Sequence, residues 1–420
     1  MLFIIDENIP FAREAFGALG EVRLVAGRAI TRDLLRDADA LLVRSVTRVN
    51  AALLAGTRVQ FVGTATIGTD HIDLDYLQQT GISFASAAGC NANSVAEYIV
   101  AALLHIAEQK RFLLAGKTLG IVGVGNVGSR VAEKARALGL RVVLNDPPLQ
   151  KLLASSTPEA LPAVLRQNLS RLSAVTFHTL DELMSADIIT LHTPLIRNGA
   201  HPTLHLFDEN RLRKIKPGGI LLNTGRGEVI DNLALKKVMR SELLTAAVLD
   251  VWENEPQIDP ELLERITIAT PHIAGYSFDG KVKGTWLIYE ALCRFLRVEP
   301  NWDPVPFLPE VALSEIKVPA SLFQKEEEAW GAQKLLAETV RCAYDIVADD
   351  QALRKVVLWE GATPEDRGKH FDKLRHEYPI RREFFNYCVG TPAEMSMIAP
   401  RLRKIGFQIA APAVRSQNLP

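Results

Sequence analysis

The stretch Leu119-Gly120-Ile121-Val122-Gly123-Val124-Gly125-Asn126-Val127-Gly128 decides the fold of this chain. We predict that the apolar residues 119–122 form a buried strand and that a helix begins near Asn126. A Gly-x-Gly-x-x-Gly turn between a strand and a helix is typical of a Rossmann domain that binds a dinucleotide. The pattern alone is a weak signal, because glycine-rich turns occur in many folds. Its position between these two elements makes it specific.

Each glycine of this turn has its own physical task. Gly123 permits the tight turn, Gly125 lets the backbone approach a pyrophosphate, and Gly128 allows the helix to pack closely on the strand. The free N–H groups at the start of the helix then attract the phosphates. The next predicted strand ends at Asp146, whose carboxylate can accept both ribose hydroxyls of NAD and would repel the 2′-phosphate of NADP. We therefore predict NAD as the cofactor.

Short apolar runs alternate with amphipathic segments on both sides of this motif. The predicted strands before it cover residues 2–5, 21–25, 40–43, 60–62 and 82–84, and those after it cover 142–144, 188–191, 220–222, 246–249 and 267–269. Such alternation is typical of parallel sheets with helices on both faces. A long apolar helix over residues 93–107 separates the two series. The sequence therefore predicts two consecutive doubly wound α/β units.

Composition limits the classes of protein to which the chain can belong. With 420 residues, 48% of them hydrophobic and 23% charged, it is long enough for two or three globular domains. A net charge of -1 gives no overall field that attracts nucleic acid or an anionic membrane. The sequence has no signal-peptide pattern, no apolar run long enough for a bilayer and no paired metal-ligand spacing. We therefore expect a cytoplasmic protein without a metal, a nucleic-acid partner or a membrane partner.

Three predicted strand ends in the second unit carry polar side chains. They begin at residues 223, 250 and 270 and contain, in that order, Arg226, Glu255 and His272. The carboxyl ends of parallel strands meet at one edge of a sheet, where ligands bind. Oxidation of an alcohol by hydride transfer needs a base, a group that keeps the base in its useful protonation state, and a cation that fixes the substrate. The three residues together predict a dehydrogenase site.

The order of these motifs resembles that of the D-2-hydroxyacid dehydrogenase family, with a glycine loop, Arg-Gly, Asp-x-x-x-x-Glu-Pro and then Pro-His-x-x-Gly. A narrower resemblance links the chain to the members of that family that oxidise 4-phospho-D-erythronate in pyridoxal phosphate (vitamin B6) biosynthesis. The segments that carry it are 43–47, 61–66, 89–92, 248–253 and 271–276. The resemblance covers residues 1 to about 300 and continues into the tail through residues 379–383.

The resemblance implies a role for each motif residue. Arg226 would hold the substrate carboxylate and polarise the oxygen on C2, and His272 would take the C2 hydroxyl proton while hydride leaves for the nicotinamide. Glu255 would hydrogen-bond His272 and fix its tautomer.

The same resemblance implies a set of binding residues. Those for the cofactor are Gly123, Gly125, Asn126, Val127, Gly128, Asp146, Thr193, Thr224, Gly225, Asp250 and Gly275. Those for the substrate are Ser45, Thr66 and Tyr276. Two basic clusters are candidates for the substrate phosphate, Arg44 with Arg48 and Lys281 with Lys283, and each can equally be a solvated face.

From the alternation and the resemblance together we expect three domains. A flavodoxin-like substrate domain would comprise residues 1–92 and 276–299, and the NAD-binding Rossmann domain residues 93–275. A C-terminal α+β domain, residues 300–420, would pair two copies of the chain into a homodimer. A regulatory small-molecule domain is the alternative for this tail. Residues 151–178 are longer than the family leads us to expect, and we interpret them as a surface helix or a segment that alters NAD affinity.

Three functions are compatible with these features. The first is NAD-dependent oxidation of 4-phospho-D-erythronate at C2 to 2-oxo-3-hydroxy-4-phosphobutanoate. The second is oxidation of another 2-hydroxyacid, such as 3-phosphoglycerate. The third is a non-catalytic protein of the same fold that senses NAD. An intact set of Arg226, Glu255 and His272 argues against the third.

Overall fold

The computed structural model describes residues 1–172, 175–311, 314–317, 328–390 and 398–410. The strands in this part of the chain are β1 Leu2–Asp6, β2 Glu21–Val25, β3 Ala40–Val43, β4 Phe61–Thr64, β5 Ser83–Ser86, β6 Thr118–Val122, β7 Arg141–Asn145, β8 Ile188–Leu191, β9 Gly219–Asn223, β10 Leu244–Leu249, β11 Ile268–Ala269, β12 Glu315–Lys317, β13 Cys388–Gly390 and β14 Gln408–Ile409. The α-helices are α1 Ala12–Phe16, α2 Arg32–Leu35, α3 Ala51–Leu54, α4 Leu74–Thr80, α5 Ala92–Gln109, α6 Asn126–Ala137, α7 Pro147–Ser155, α8 Ala163–Ser170, α9 Leu180–Leu183, α10 Glu209–Lys214, α11 Asn232–Arg240, α12 Pro260–Arg265, α13 Phe278–Leu296, α14 Glu328–Ala343, α15 Ile346–Val357, α16 Pro364–His376 and α17 Ala399–Ile405.

The first compact unit comprises residues 1–92 and 276–310. Its five strands are all parallel and lie in the order β2-β1-β3-β4-β5. Alternate side chains of β1 enter different cores, because Phe3 and Ile5 pack in one core with Ile288 of α13 whereas Ile4 packs in the other. Both faces of this sheet are therefore covered, as the continuous apolar runs of its strands predicted.

The second compact unit comprises residues 93–275 and 311–420. Its main sheet has six parallel strands in the order β11-β10-β9-β8-β6-β7. The strand before the glycine loop, β6, pairs with β7 on one side and with β8 on the other. The strand order therefore reverses beside β6, and α/β proteins bind ligands at the carboxyl ends of the strands at such a switch point.

The described C-terminal residues form a three-stranded parallel sheet, β12-β13-β14, accompanied by α14 to α17. Ile316, Leu336 and Phe384 of this region share one hydrophobic core with Val100 of α5 and Ile121 of β6. Apolar burial thus joins the region to residues 93–275 within one unit. The three domain boundaries, and the pairing of two chains through residues 300–420, stay predictions.

The predicted strands of the two α/β units agree with the observed ones to within two residues at each end. The fold class is confirmed, since two doubly wound parallel sheets are followed by a C-terminal region of helices and a small sheet. Within the unexpectedly long segment 151–178 the structure has the end of α7 and the whole of α8. Residues 173 and 174 of that segment lie outside the described part of the chain.

Candidate active site

Every strand of the six-stranded sheet is followed at its carboxyl end by a predicted site residue. In the order of the sheet these residues are His272 after β11, Asp250 after β10, Arg226 after β9, Thr193 after β8, Gly123 after β6 and Asp146 after β7. Because all six strands are parallel, these positions lie along the same edge of the sheet. The catalytic and cofactor candidates are thereby brought together.

The glycine loop has the geometry that its motif requires. Gly123 has a φ of 89°, in the left-handed region, and a Cβ on it would lie 2.8 Å from the carbonyl oxygen of His192. A Cβ on Gly128 would lie 2.0 Å from the carbonyl oxygen of Gly123, so only glycine allows α6 to pack there. A Cβ on Gly125 would meet nothing within 4 Å. The open space at Gly125, at the N-terminus of α6, leaves room for a pyrophosphate.

The predicted cofactor residues Asn126 and Val127 are the first two residues of α6, and Gly125 is its N-cap. Glycine has no side chain to cap a helix, so the first N–H groups of α6 can point to phosphates. Asn168 of α8 donates its Nδ2–H to Oδ1 of Asn126 over 3.0 Å. The long segment 151–178 therefore fixes the side chain of the first residue of α6, which the sequence alone did not reveal.

Asp146 holds the glycine loop and also begins a helix. Its Oδ2 accepts the N–H of Val124 (2.8 Å), and its Oδ1 accepts the N–H of Leu149 (3.0 Å) as the N-cap of α7. An ionised carboxylate has about four acceptor positions, so two remain for ribose hydroxyls. Ribose binding by Asp146 stays a prediction. The structure adds that the same carboxylate ties β7 to the turn between Gly123 and Gly125.

His192 is neutral and serves to connect two threonines. Its Nε2 lies 3.0 Å from Oγ1 of Thr190 and its Nδ1 3.1 Å from Oγ1 of Thr224. Burial lowers the pKa of His192 to about 3. Oγ1 of the next residue, Thr193, is buried and has no hydrogen-bond partner within the described residues. Because buried hydroxyls are nearly always bonded, this atom fits a contact to the bound cofactor.

Arg226 is carried by a tight turn after β9. The side chain of Asn223 accepts the N–H of Gly225 (3.0 Å) and donates to the carbonyl oxygen of Arg226 (2.9 Å). A Cβ on Gly227 would lie 2.0 Å from the carbonyl of Trp252, so the turn packs tightly against the loop after β10. The half-buried guanidinium donates from Nη1 to the carbonyl oxygen of Gly225 (2.9 Å). The turn thus fixes the backbone from which a planar guanidinium can hold a carboxylate.

Glu255 and His272 form a direct pair. Oε2 of Glu255 lies 2.8 Å from Nδ1 of His272, and Oε1 of Glu255 accepts the N–H of Trp252 (2.8 Å). Burial acts to raise the pKa of Glu255, but the charge of His272 and these hydrogen bonds outweigh it, so that the pKa falls below its ordinary value. Glu255 is therefore ionised and engages Nδ1. The pair engages Nδ1 of His272 and not Nε2, the ring nitrogen that would serve a general base.

Asp250 anchors the loop that carries His272. The backbone of His272 has a φ of 57°, a left-handed conformation that costs a residue with a Cβ about 1–3 kcal/mol. The carbonyl oxygen of Asp250 accepts the N–H of His272 (2.7 Å), and its carboxylate accepts those of Ile273 (2.7 Å) and Ala274 (3.0 Å). Burial raises the pKa of Asp250 against the lowering effect of these contacts. Asp250, predicted as a cofactor residue, thus also sets the backbone leading to Gly275.

The predicted substrate residues lie in the first compact unit. Ser45 follows β3 and Thr66 follows the adjacent parallel strand β4, so both are at the carboxyl edge of that sheet. Oγ1 of Thr66 donates to the carbonyl oxygen of Gly68 (3.0 Å), which makes it part of a local turn. Tyr276 precedes α13, and Nζ of Lys281 lies 4.8 Å from the centre of its ring. Contact of these three residues with a substrate stays a prediction.

Three family models match the chain. The one described as D-isomer specific 2-hydroxyacid dehydrogenase, catalytic domain, matches residues 3–179, and the one described as the NAD binding domain of the same enzymes matches residues 105–274. The third, described as a domain of unknown function, matches residues 307–406.

Curated relatives match over almost the whole chain. The erythronate-4-phosphate dehydrogenase of Marinobacter nauticus is 45% identical over 97% of this chain and 100% of its own length. That of Cronobacter sakazakii is 43% identical over 99% of this chain and 100% of its own length. The chain belongs to the D-isomer specific 2-hydroxyacid dehydrogenase family. Membership confirms the prediction of an NAD-dependent dehydrogenase with NAD as its cofactor.

Solved structures share the fold over part of the chain. D-mandelate dehydrogenase from Rhodotorula graminis is 25% identical, with a TM-score of 0.56 over 70% of this chain and 94% of its own. D-lactate dehydrogenase from Aquifex aeolicus, complexed with NAD and lactic acid, is 24% identical, with a TM-score of 0.54 over 71% of this chain and 96% of its own. This dehydrogenase therefore carries residues that have no counterpart in those two structures.

Some residues around this dehydrogenase site were not identified from the sequence. Oγ1 of Thr270 donates to Oδ1 of Asp250 (2.6 Å) and lies 2.7 Å from the hydroxyl of Tyr98 on α5. Arg381, far along the tail, donates to the carbonyl oxygen of Ala274 (2.7 Å). Only Thr270 had a visible signal, its place beside the Pro-His motif. The other two act across 172 and 107 residues of sequence, and no local pattern marks such contacts.

Among the described residues, no group of three or more His, Cys, Asp or Glu side chains is arranged to hold a metal ion. Across the same part of the chain, every helix is too short or too polar to cross a bilayer.

Proposed function

We propose that this chain oxidises 4-phospho-D-erythronate at C2 to 2-oxo-3-hydroxy-4-phosphobutanoate, with reduction of NAD, as a step of pyridoxal phosphate biosynthesis. The substrate is taken from the name of relatives that match the chain from end to end. The single observation that carries the chemistry is the pair of Glu255 and His272, joined at 2.8 Å on the sheet edge that also holds the glycine loop.

In this proposal His272, Glu255 and Arg226 each have one task in the reaction. Nε2 of His272 takes the proton of the C2 hydroxyl, and Glu255 stabilises the imidazolium that results. Arg226 holds the substrate carboxylate and draws electron density toward the C2 oxygen. Bound NAD supplies the acceptor for the hydride that leaves C2, so that the C2–H bond breaks as the carbonyl forms. The products balance as the 2-oxo acid, NADH and one proton held by His272.

The cofactor residues are assigned by the same proposal. The glycine loop from Gly123 to Gly128 and the N-terminus of α6 hold the pyrophosphate, and Asp146 the ribose. The nicotinamide side is lined by Thr193, Thr224, Gly225, Asp250 and Gly275. The buried hydroxyl of Thr193, which has no hydrogen-bond partner within the described residues, supports this assignment. Ser45, Thr66 and Tyr276 contact the substrate.

The substrate phosphate is assigned to Arg44 and Arg48. Arg44 is half-buried and donates from Nη1 to the carbonyl oxygen of Asn8 (3.3 Å), which holds its guanidinium in place, and Arg48 is exposed nearby in the chain. The double variant Arg44→Ala/Arg48→Ala should lose the preference for a phosphorylated substrate, with Arg36→Ala as a control on a distant exposed arginine. If the double variant keeps that preference, Lys281 and Lys283 become the candidates.

We also propose that the chain works as a homodimer in the cytoplasm. Its four cysteines are free, which fits a reducing compartment. Trp359, Ile380 and Phe385 of the C-terminal region expose 63%, 63% and 46% of their surface, and a second copy would bury such side chains. Light scattering after gel filtration should give twice the chain mass, and Ile380→Asp should reduce it. A monomeric wild type would contradict the dimer.

The function is tested by following NADH formation with 4-phosphoerythronate, 3-phosphoglycerate and lactate. Turnover of the first that falls by about 10²–10⁴-fold in His272→Ala supports the proposal. The matched control is His205→Ala, since His205 also contacts a glutamate, Glu253, at 2.6 Å, and it should retain activity. Preference for 3-phosphoglycerate would favour another 2-hydroxyacid as substrate. NAD binding without turnover of any of the three would favour an NAD-sensing protein.

A further inference from the structure

The C-terminal region places one arginine against the loop that carries His272. Nη2 of Arg381 donates to the carbonyl oxygen of Ala274 (2.7 Å) and to Oγ of Ser94 on α5 (2.5 Å). Oγ of Ser94 donates to the same carbonyl oxygen over 3.1 Å. Since the N–H of Ala274 is bonded to Asp250, this residue is held at both of its backbone polar groups.

The guanidinium of Arg381 is buried, and its Nη1 has no hydrogen-bond partner among the described residues. The residue is 7% exposed, and its guanidinium carbon lies 4.3 Å from the ring centre of Tyr344. The hydroxyls of Tyr344 and Tyr378 both donate to Oδ2 of Asp349 over 2.8 Å, which adds a half-buried acidic group nearby. Burial acts to lower the pKa of Arg381, but these neighbours raise it, so the charge is kept.

We propose that Arg381 is a positioning residue for the dehydrogenase reaction, holding the His272 loop through the carbonyl oxygen of Ala274. The region matched to a domain of unknown function thus completes the active site within its own chain. The kinetic consequence of this inference rests on the proposed function, whereas the contact itself does not.

We expect Arg381 to affect catalysis because the backbone of the His272 loop is strained. His272 has a φ of 57°, and it keeps this conformation only while its neighbours are fixed. Loss of the Arg381 contact leaves the Ala274 carbonyl with Ser94 alone and lets the loop relax. A shift of about 1 Å at a catalytic group can cost about 10²-fold in rate. Relaxation would also lengthen the contact between His272 and Glu255.

Another arginine of the C-terminal region provides a matched control. Arg354 of α15 donates to the carbonyl oxygens of Leu263 (2.8 Å) and Ile266 (2.6 Å) and pairs with Asp350 (2.8 Å). Like Arg381, Arg354 therefore connects the C-terminal region to residues 93–275 through backbone carbonyl oxygens. Its carbonyl partners precede β11, whereas His272 follows that strand. Arg354→Met should lower stability and alter the catalytic loop less than Arg381→Met, since its link to that loop runs through Asp350, which accepts the N–H of Ala269 in β11 (2.7 Å).

The kinetic test compares Arg381→Met, Arg381→Lys and Arg354→Met with the wild type. In Arg381→Met we expect kcat to fall by about 10–100-fold, while the Kd for NADH changes less than about threefold. The acidic limb of its pH profile should move to lower pH, because Glu255 then supports the imidazolium less well. Arg381→Lys should recover part of kcat, since a lysine can donate to the same carbonyl. Equal kcat in Arg381→Met and Arg354→Met would overturn the inference.

Hydrogen exchange supplies a readout that needs no turnover. The amides of Ile273 and Ala274 are bonded to Asp250 and should exchange faster in Arg381→Met than in Arg354→Met. Equal exchange in the two variants would overturn the inference, whatever the kinetics. If the wild type does not oxidise 4-phosphoerythronate, the proposed function fails, and the exchange comparison still decides whether Arg381 positions the loop.

Discussion

Nδ1 of His272 lies 2.8 Å from Oε2 of Glu255, while Oε1 of the same carboxylate accepts the N–H of Trp252. The carboxylate is thus fixed at one oxygen by the backbone and presents the other to the imidazole. A second pair, His205 and Glu253 at 2.6 Å, uses a glutamate from the same loop but a histidine outside the Pro-His motif. Variants of the two pairs therefore show whether activity depends on a His–Glu contact in general or on the contact in the Pro-His motif.

Glu255→Gln should lower kcat by about 10–100-fold, because the amide keeps an acceptor for the Trp252 N–H but removes the charge that stabilises protonated His272. The acidic limb of the kcat/KM profile should move to lower pH. Steady-state kinetics between pH 5 and 9 measure both effects, with Glu253→Gln as the control that keeps the wild-type profile. Equal profiles for Glu255→Gln and the wild type would refute the role of this pair.

Alanine substitutions at Gly128 and Gly125 should separate the effect of the glycine loop on helix packing from its effect on NAD binding. Gly128→Ala places a Cβ 2.0 Å from a backbone oxygen, so it should lower both the melting temperature and NAD affinity. Gly125→Ala meets no protein atom within 4 Å and should leave the melting temperature near that of the wild type. Its Kd for NAD should still rise about tenfold or more, because the methyl group enters the pyrophosphate space. Unchanged NAD affinity in Gly125→Ala would argue against that placement.

Asp146→Ala should raise the KM for NAD several-fold and also destabilise the protein. The carboxylate caps α7, and loss of an aspartate N-cap typically costs about 1 kcal/mol. Asp208→Ala is the matched control, since Asp208 is the N-cap of α10 and accepts the N–H of Arg211 at 2.9 Å. Both variants should melt earlier, and only Asp146→Ala should change NAD kinetics. A similar KM for NAD in the two would contradict ribose binding by Asp146.

Glu97 of α5 should make stability depend on pH. Burial raises the pKa of Glu97 from 4.5 to about 8, and the nearby charge of Glu383 also acts to raise it. Lys134, whose Nζ is 3.9 Å away, and Arg381 act to lower the pKa but do not outweigh burial. The folded state therefore holds a proton that the unfolded chain releases above pH 4.5. This contribution to stability is complete below pH 4.5 and is lost as the pH rises towards about 8.

Urea unfolding at several pH values between about 5 and 8 measures this effect. The free energy of unfolding should fall with rising pH more steeply in the wild type than in Glu97→Gln, which cannot release the proton. Lys134 lowers the pKa of Glu97, so Lys134→Met should extend the fall to higher pH. Parallel curves for the wild type and Glu97→Gln would contradict a raised pKa.

The sequence predicted those features that depend on neighbours along the chain. Apolar runs located the strands of the two large sheets, and the glycine motif located the turn before α6, because the positive φ of Gly123 and the close packing of Gly128 on the backbone of Gly123 are local features. Arg226, Glu255 and His272 were predicted to share one edge because parallel strands bring their ends together, and all three follow strands of the same parallel sheet. Asp250 was found too, but its hold on Ile273 and Ala274 was not, since that depends on how a loop closes back on the preceding strand.

By itself the sequence determined the class of fold, the cofactor and the family, since periodicity and short motifs record local geometry. Only the tertiary structure decided which distant residues support the site. Asn168 reaches the first residue of α6, and Arg381 reaches the carbonyl oxygen of Ala274. A contact of this kind depends on where two separate elements pack, and a single buried arginine in a tail has no periodicity that would reveal it. The physical reason is that the partner of such a side chain is determined by how the elements pack and not by spacing along the sequence.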